Sequence, residues 1–169
     1  AFTADAFPRM VVTTGTSAEL RGRLQDLCTR NGAEFAWKER VDLENVRATV
    51  QSMSESKGFD DIIVLGTARA EDLRLLGEML GKGGVLNVVG SQPIPDEVEI
   101  DIGRIHYDNL SFVGTSTTDV SKGYAVHRSA ELVAGGSSWF IGAAGPMGQM
   151  HVQRAVELQA APGVVGSVP

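Results

Sequence analysis

Trp139-Phe140-Ile141-Gly142-Ala143-Ala144-Gly145-Pro146-Met147-Gly148-Gln149-Met150-His151-Val152 is the stretch that decides how this chain is read. Its bulky apolar start reads as a buried strand. A glycine-rich turn follows, then the first turns of a helix. Glycines let the backbone come close to an anion, and a helix N-terminus offers free N–H groups and partial positive charge. The stretch is therefore a physical recipe for holding a pyrophosphate, with Gly142, Ala144, Gly145, Pro146, Met147 and Gly148 as its lining. Such a turn ordinarily opens a nucleotide-binding domain, whereas here it comes late in the chain.

Upstream, apolar runs alternate with helical patterns. Arg9–Thr14 is a β-branched run that stops at Gly15. Ser17 then has the character of an N-cap, and Leu20, Leu24, Leu27 and Cys28 recur at helical spacing up to Asn31-Gly32. A weaker strand at Glu34–Trp37 precedes a helix expected from Asp42 with Leu43, Val46 and Val50 inward. Asp61–Gly66 is apolar on both faces, as a central parallel strand should be. A helix over Glu71–Leu80 is stopped by Gly81-Lys82-Gly83-Gly84, and the next strand is Val85–Gly90. Glu97–Ile102 reads as locally extended within a longer connection. Leu110–Thr115 is a further strand, followed by a helix over Asp119–Val133. After the glycine turn a helix runs from Pro146 to Leu158, and the tail from Gln159 carries no clear pattern. Strand and helix alternate six times, which predicts an α/β fold with a doubly wound, parallel six-stranded sheet, Rossmann-like, in a single domain over 1–169.

Composition narrows the classes. The chain has 169 residues, a formal net charge of −6 and a sequence pI near 5.0. No basic stripe is present, so nucleic acid is not expected as a partner. Cys28 is the single cysteine, which excludes an intramolecular disulfide and a cysteine-rich metal site. No apolar run reaches membrane-spanning length, and residues 1–8 lack the layout of a signal peptide. A cytoplasmic protein is the expectation.

The words Gly142–Val152, Gly58-Phe59-Asp60-Asp61, Gly83-Gly84-Val85-Leu86-Asn87 and Arg104-Ile105-His106-Tyr107-Asp108 together resemble the cofactor domain of medium-chain, alcohol-dehydrogenase-like reductases, in particular the sorbose-phosphate reductase-like branch. The likeness spans most of residues 9–160. It implies an NAD(P)-binding domain of a zinc-dependent oxidoreductase acting on a sugar alcohol or a related alcohol. In that family the glycine turn follows the first strand and the Arg-Ile-His-Tyr-Asp word comes near the end. The order here is that of a circular permutation, with the glycine-loop strand sixth in sequence and central in the sheet. It would lie between the strands at 9–14 and 61–66. The family's separate zinc-carrying domain has no counterpart, so catalysis by this chain alone is not expected. The histidines and the cysteine show no zinc spacing.

The glycine turn departs from the G-x-G-x-x-G spacing, since Ala143 stands where a glycine is usual. The strand after the glycine helix usually ends in a carboxylate for the ribose. Here Thr14 and Gly15 stand there. That implies either weakened binding or room for a 2′-phosphate, with Thr16, Ser17 and Arg21 nearby and Glu19 opposing, so the cofactor is NAD or NADP. Gly66-Thr67, Gly90-Ser91 and Thr115-Ser116 end three other strands, where ligands sit in doubly wound sheets. A turn role competes for each. His106 and Tyr107 are assigned to the loop before the strand at 110–115, Asp60-Asp61 to a turn and cap role before a buried strand, and Cys28 to an inert core. No catalytic triad or carboxylate pair is indicated by spacing. The strand at 110–115 is expected at a sheet edge, where the resemblance implies pairing in a homodimer. The alternatives are a structural module without tight cofactor binding and a methyltransferase-like domain of the same fold.

Overall fold

The computed structural model describes residues 7–55, 57–125, 137–157 and 163–166. The chain gathers into two compact units, Ala1–Val126 and His127–Pro169. All strand pairs among the described residues are parallel, and helices alternate with strands. The architecture is α/β and Rossmann-like.

The first unit opens with β1 (Met10–Thr14), α1 (Ala18–Arg30) and β2 (Glu34–Lys38). β1 and β2 pair in register from Met10 opposite Glu34 to Thr14 opposite Lys38. Gly15 turns the chain at φ +64°, and the Ser17 hydroxyl caps α1 by accepting the Leu20 N–H at 3.2 Å. Cys28 is the one residue of α1 that is fully buried. Helix α2 (Val46–Ser54) starts later than its sequence suggests. The Asp42 carboxylate accepts the N–H groups of Glu44 and Asn45 at 3.1 and 3.2 Å, which closes a turn. Asn45 becomes the cap, accepting from Ala48 at 3.3 Å. Short acidic and amide side chains compete for such caps, and the one that also closes a turn upstream leaves the helix to the next.

β3 (Phe59–Leu65), β4 (Leu80–Val89) and β5 (Ser111–Thr115) follow, in the sheet order β3-β4-β5. Helices α3 (Ala70–Glu78), α4 (Ile102–Tyr107) and α5 (Val120–Tyr124) connect and cover them. Residues Ile62, Val64, Leu86, Val88, Leu110 and Phe112 of one sheet face pack against Leu73 and Leu76 of α3 and Ile105 of α4. The opposite face carries Asp61 and Asn87, which are held by α5. Helices on both faces are the doubly wound arrangement. β5 lies at an edge, as expected.

Gly81-Lys82-Gly83-Gly84 does not terminate a helix but lies inside β4. Phe59 pairs with Leu80 and Asp61 with Val85, so the glycine run bulges out of the ladder. It has to be small there. A Cβ on Gly81 would sit 2.6 Å from the Lys57 carbonyl, and one on Gly84 would sit 2.8 and 2.9 Å from the Gly81 and Phe59 carbonyls. Residues 102–107 are a short helix capped by Asp101 rather than extended chain and loop. β3 is not covered on both faces. It ends its three-stranded sheet, and Ile63 and Leu65 remain about half exposed, at 48% and 57%. Of the helix expected over 119–133, α5 accounts for the start, and residues 126–133 lie outside the described residues.

The second unit holds β6 (Ser137–Phe140), α6 (Pro146–Glu157) and β7 (Gly163–Gly166). β7 is a correction, since the tail reads as patternless. It pairs parallel with β6, from Ser137 opposite Gly163 to Phe140 opposite Gly166. Where six strands were expected, the described residues form seven, hydrogen-bonded as sheets of two, three and two. One edge of β6 is taken by β7, so an arrangement with β1 and β3 on its two sides is not the pairing found. Trp139 and Ile141 are 70% and 89% exposed, not buried.

Candidate functional site

The glycine turn has the expected form. β6 ends at Phe140, Gly142 takes φ +75°, and α6 begins at Pro146. Proline suits a first helical position because its missing N–H has no intrahelical partner there. The Gly145 N–H donates to the Gly142 carbonyl at 3.1 Å, and the Gln149 N–H to the Gly145 carbonyl at 2.9 Å. The Gln149 side-chain amide donates to the Ala144 carbonyl at 2.7 Å, clasping the turn from the helix.

The three glycines are needed for different reasons. Gly142 occupies left-handed backbone that L side chains rarely adopt. A Cβ on Gly148 would overlap the Gly142 carbonyl oxygen and lie 2.6 Å from the Ala143 Cα, so helix and turn touch there. Gly145 is different. A Cβ on it would meet only the Gly142 carbonyl oxygen, at an ordinary 3.6 Å. Neither backbone angle nor packing within the described residues requires a glycine at 145. Ala144 and Met147 are exposed beside it.

At the carboxyl ends of β1 and β2 the hydroxyls are partly engaged. Thr14 Oγ1 donates to the Glu39 carbonyl at 3.0 Å, tying the end of β1 to the segment after β2. Thr16 Oγ1 lies 3.5 Å from Thr13 Oγ1. The Arg21 guanidinium lies over the Trp37 ring, Cζ 4.3 Å from the centroid.

The carboxyl ends of β3, β4 and β5 are knitted together. The Gly66 N–H donates to Val89 O at 2.8 Å and the Gly90 N–H to Thr115 O at 3.0 Å. A Cβ on Gly90 would sit 2.6 Å from the Gly66 carbonyl, so this glycine is explained by sheet packing. Thr115 Oγ1 lies 3.0 Å from Thr117 Oγ1 and accepts the Thr117 N–H at 3.2 Å. Thr67, Ser91 and Ser116 are exposed at the same ends. The structure thus brings 66–67, 90–91 and 115–116 to one rim. Thr14, Ser17 and Arg21 stand at the ends of the β1–β2 pair, and 142–148 form the turn of the second unit.

Sequence reasoning missed a polar cluster on the α5 side of β3 and β4. Tyr124 donates its hydroxyl to Asp61 Oδ1 at 2.6 Å across 63 positions of sequence. Asp61 therefore serves a cross-element bond inside β3, not a turn. Burial raises its pKa; the Tyr124 hydrogen bond opposes this and neighbouring Asp60 adds to it. Burial and the bond to Asp61 push the Tyr124 hydroxyl well above its ordinary range. Beside them Asn87 is fully buried; its Nδ2 donates to the Val120 carbonyl at 3.2 Å, and its Oδ1 has no hydrogen-bond partner among the described residues. Gly123 faces that oxygen, and a Cβ there would overlap it. No signal in the sequence points to this set.

The Arg-Ile-His-Tyr-Asp word has a structural explanation in its first residue. Arg104 donates to Asp108 Oδ2 at 2.8 Å and to the carbonyls of Gly77, Glu78 and Leu80 at 3.3, 3.3 and 2.7 Å. It ties α4 to the end of α3. His106 and Tyr107 stack edge-on at 4.9 Å, with Tyr107 exposed. Burial pushes the Cys28 thiol up, which suits an inert core residue. His151 lies exposed on α6, and His127 falls outside the described residues. Among the described residues no group of three His, Cys, Asp or Glu could hold a metal ion, and no helix is long and apolar enough to cross a membrane.

No protein-family description matches the chain, and no curated protein matches it. Solved structures with a partial likeness include the D-arabinose dehydrogenase from Sulfolobus solfataricus, at 18% identity over 67% of this chain and a TM-score of 0.42. A putative enoyl reductase domain of polyketide synthase gives 15% over 86% at 0.39. The benzyl alcohol dehydrogenase from Acinetobacter calcoaceticus gives 15% over 94% at 0.42. The chain spans 33%, 63% and 43% of those three chains respectively. At these identities and scores the likeness is one of fold at most.

Proposed function

We propose that the chain is a dinucleotide-binding module of an oxidoreductase, with the turn at 142–148 holding the pyrophosphate of NAD or NADP. The observation that carries this is Gly145. Gly142 and Gly148 are demanded by the turn itself, while Gly145 is demanded by nothing in the described chain. A glycine without an internal reason at the mouth of a helix N-terminus is what close approach of a phosphate requires. The pairing of β6 with β7 supports a local reading: strand, turn, helix and returning parallel strand stand together in sequence. Titration with NAD, NADP and S-adenosylmethionine, followed by melting temperature, tests it. A ligand bound by the folded state raises the melting point by mass action. No shift with any of the three at millimolar concentration refutes the reading, and a shift with S-adenosylmethionine alone replaces it.

By the resemblance in sequence, the complete enzyme would move a hydride between NAD(P) and a sugar alcohol, in the cytoplasm, as a homodimer through the free edge of β5. Among the described residues no group of side chains fits a zinc site. The permuted strand order β2-β1-β6-β3-β4-β5 expected from the sequence stays a second reading, compatible with β1 and β3 each keeping one edge without a strand partner among the described residues. There β7 would be dispensable, and removal of residues 159–169 would leave the melting temperature unchanged. In the local reading the same removal lowers it.

A further inference from the structure

Two glutamines of α6 use their side-chain amides differently. Gln153 donates along the helix to the Glu157 carboxylate at 2.7 Å. Gln149 reaches backwards, out of the helix, and donates to the Ala144 carbonyl at 2.7 Å. The peptide between Ala144 and Gly145 is thereby held at both ends, because the Gly145 N–H donates to the Gly142 carbonyl at 3.1 Å.

The clasp has the opposite polarity to a capping box, in which a side chain in the first helical turn accepts the N–H of the cap residue. Gly145 stands in the cap position here, since its carbonyl accepts the Gln149 N–H at 2.9 Å. Gly145 and Gly148, the two positions that ordinarily supply capping oxygens, have no side chain to supply one. Pro146 has no N–H, and those of Met147 and Gly148 lie too early in α6 for an intrahelical acceptor. The glutamine engages a carbonyl instead. That bears on an anion, because a glycine at 145 leaves φ of either sign open and makes the 144–145 peptide easy to flip. A flipped peptide would exchange the places of its N–H and its partly negative oxygen.

We propose that Gln149 is a positioning residue for the phosphate cradle: by fastening the Ala144 carbonyl to α6 it locks the 144–145 peptide in the orientation that admits an anion. The inference rests on the dinucleotide reading above and adds to it the device that makes a glycine at 145 compatible with an ordered turn. Gly145 leaves room for the ligand, and Gln149 restores the order that the glycine gives up.

The test uses the whole chain, with inorganic pyrophosphate, NAD and NADP as probes, and calorimetry well below the melting temperature so that only folded protein is titrated. Gln149→Met keeps the length of the side chain and removes the donor. It should weaken pyrophosphate, and any dinucleotide the parent binds, by about five- to tenfold, the effect of one hydrogen bond. Gln149→Glu has no donor when ionised and a hydroxyl donor when protonated. Its affinity relative to the parent at the same pH should therefore be low at neutral pH and recover as pH falls towards about 4. A clasp that serves only the fold would lower the melting temperature and leave both affinities alone. Gln149→Met binding like the parent overturns the proposal, and so does a Gln149→Glu ratio that stays flat with pH; the second measurement decides if Gln149→Met fails to fold. A dinucleotide bound equally by parent and Gln149→Met removes the clasp and keeps the dinucleotide reading. Pyrophosphate bound by the parent and weakened in Gln149→Met, with neither NAD nor NADP bound, removes the dinucleotide reading and keeps the clasp. Binding of no probe by the parent overturns both.

Discussion

Substituting alanine at Gly145 and at Gly148 should move stability in opposite directions while both lower dinucleotide affinity. At Gly148 the new methyl would overlap the Gly142 carbonyl oxygen and come within 2.6 Å of Ala143 Cα and 3.0 Å of its carbonyl carbon. These are backbone atoms, so α6 must back away from the turn. Overpacking of this kind costs about 1–3 kcal/mol, and replacing a helical glycine returns about 1 kcal/mol. The net expectation is a loss of up to about 2 kcal/mol, or roughly 4–8 °C for a chain of this size. At Gly145 the methyl meets one oxygen at 3.6 Å, and no left-handed backbone opposes it. The unfolded chain loses freedom, so stability should rise by about 0.4–1 kcal/mol. Binding should fall at least tenfold, because the methyl stands where the phosphate has to approach. Thermal melts and NAD(P) titrations of both variants against the parent decide the matter. A Gly145→Ala protein that binds as tightly as the parent would refute the reasoning, since the glycine would then have neither an internal nor a ligand-borne cause.

Other consequences follow from the polar contacts. The raised pKa of Asp61 means that the folded state holds its proton more tightly than the unfolded chain, whose carboxyl titrates near 3.8. Stability from this group is fully present below that value and is lost as pH rises through the raised folded pKa; Asp61→Asn should flatten this slope and raise the melting temperature at pH 7. Tyr124→Phe removes the 2.6 Å donor to Asp61 and should cost about 1 kcal/mol in denaturant melts. Arg104→Met unties three carbonyls and Asp108 and should cost about 2–3 kcal/mol, with Arg104→Lys recovering little because a single ammonium cannot span that fork. If the free edge of β5 forms a homodimer, Val113→Pro should give monomers in sedimentation while the parent sediments as a dimer.

Much of the layout was legible because strands and helices in α/β chains differ in period and are punctuated by glycine. β1, α1 with its Ser17 cap, β2, α3, β5, β6 and the start of α6 at Pro146 follow from those cues. What failed did so where one cue has two meanings. A cluster such as Gly81-Lys82-Gly83-Gly84 stops a helix or bulges a strand, and only the nearness of Lys57, Phe59 and Gly81 carbonyls decides. Asp42 and Asn45 are both fit caps, and the choice falls on whichever is free of an earlier turn. β7 is a short pair of valines between glycines, too brief for periodicity, and exists by virtue of its partner. Contacts such as Tyr124 with Asp61 depend on distant elements meeting and leave no mark in local sequence.

The candidate site divides along the same line. The glycine turn could be read in sequence because its requirement is local: backbone angle at Gly142 and contact at Gly148 lie within seven consecutive residues. Arg21 could be suspected from its place one turn into α1. Its partner could not, since Trp37 looks like one more strand residue until β1 and β2 pair in register. The two residues stand 16 positions apart, and the ring contact exists only because parallel pairing brings the end of β2 beside the start of α1. A contact made by strand pairing leaves no periodic or spacing signal, whereas a turn made of consecutive residues does.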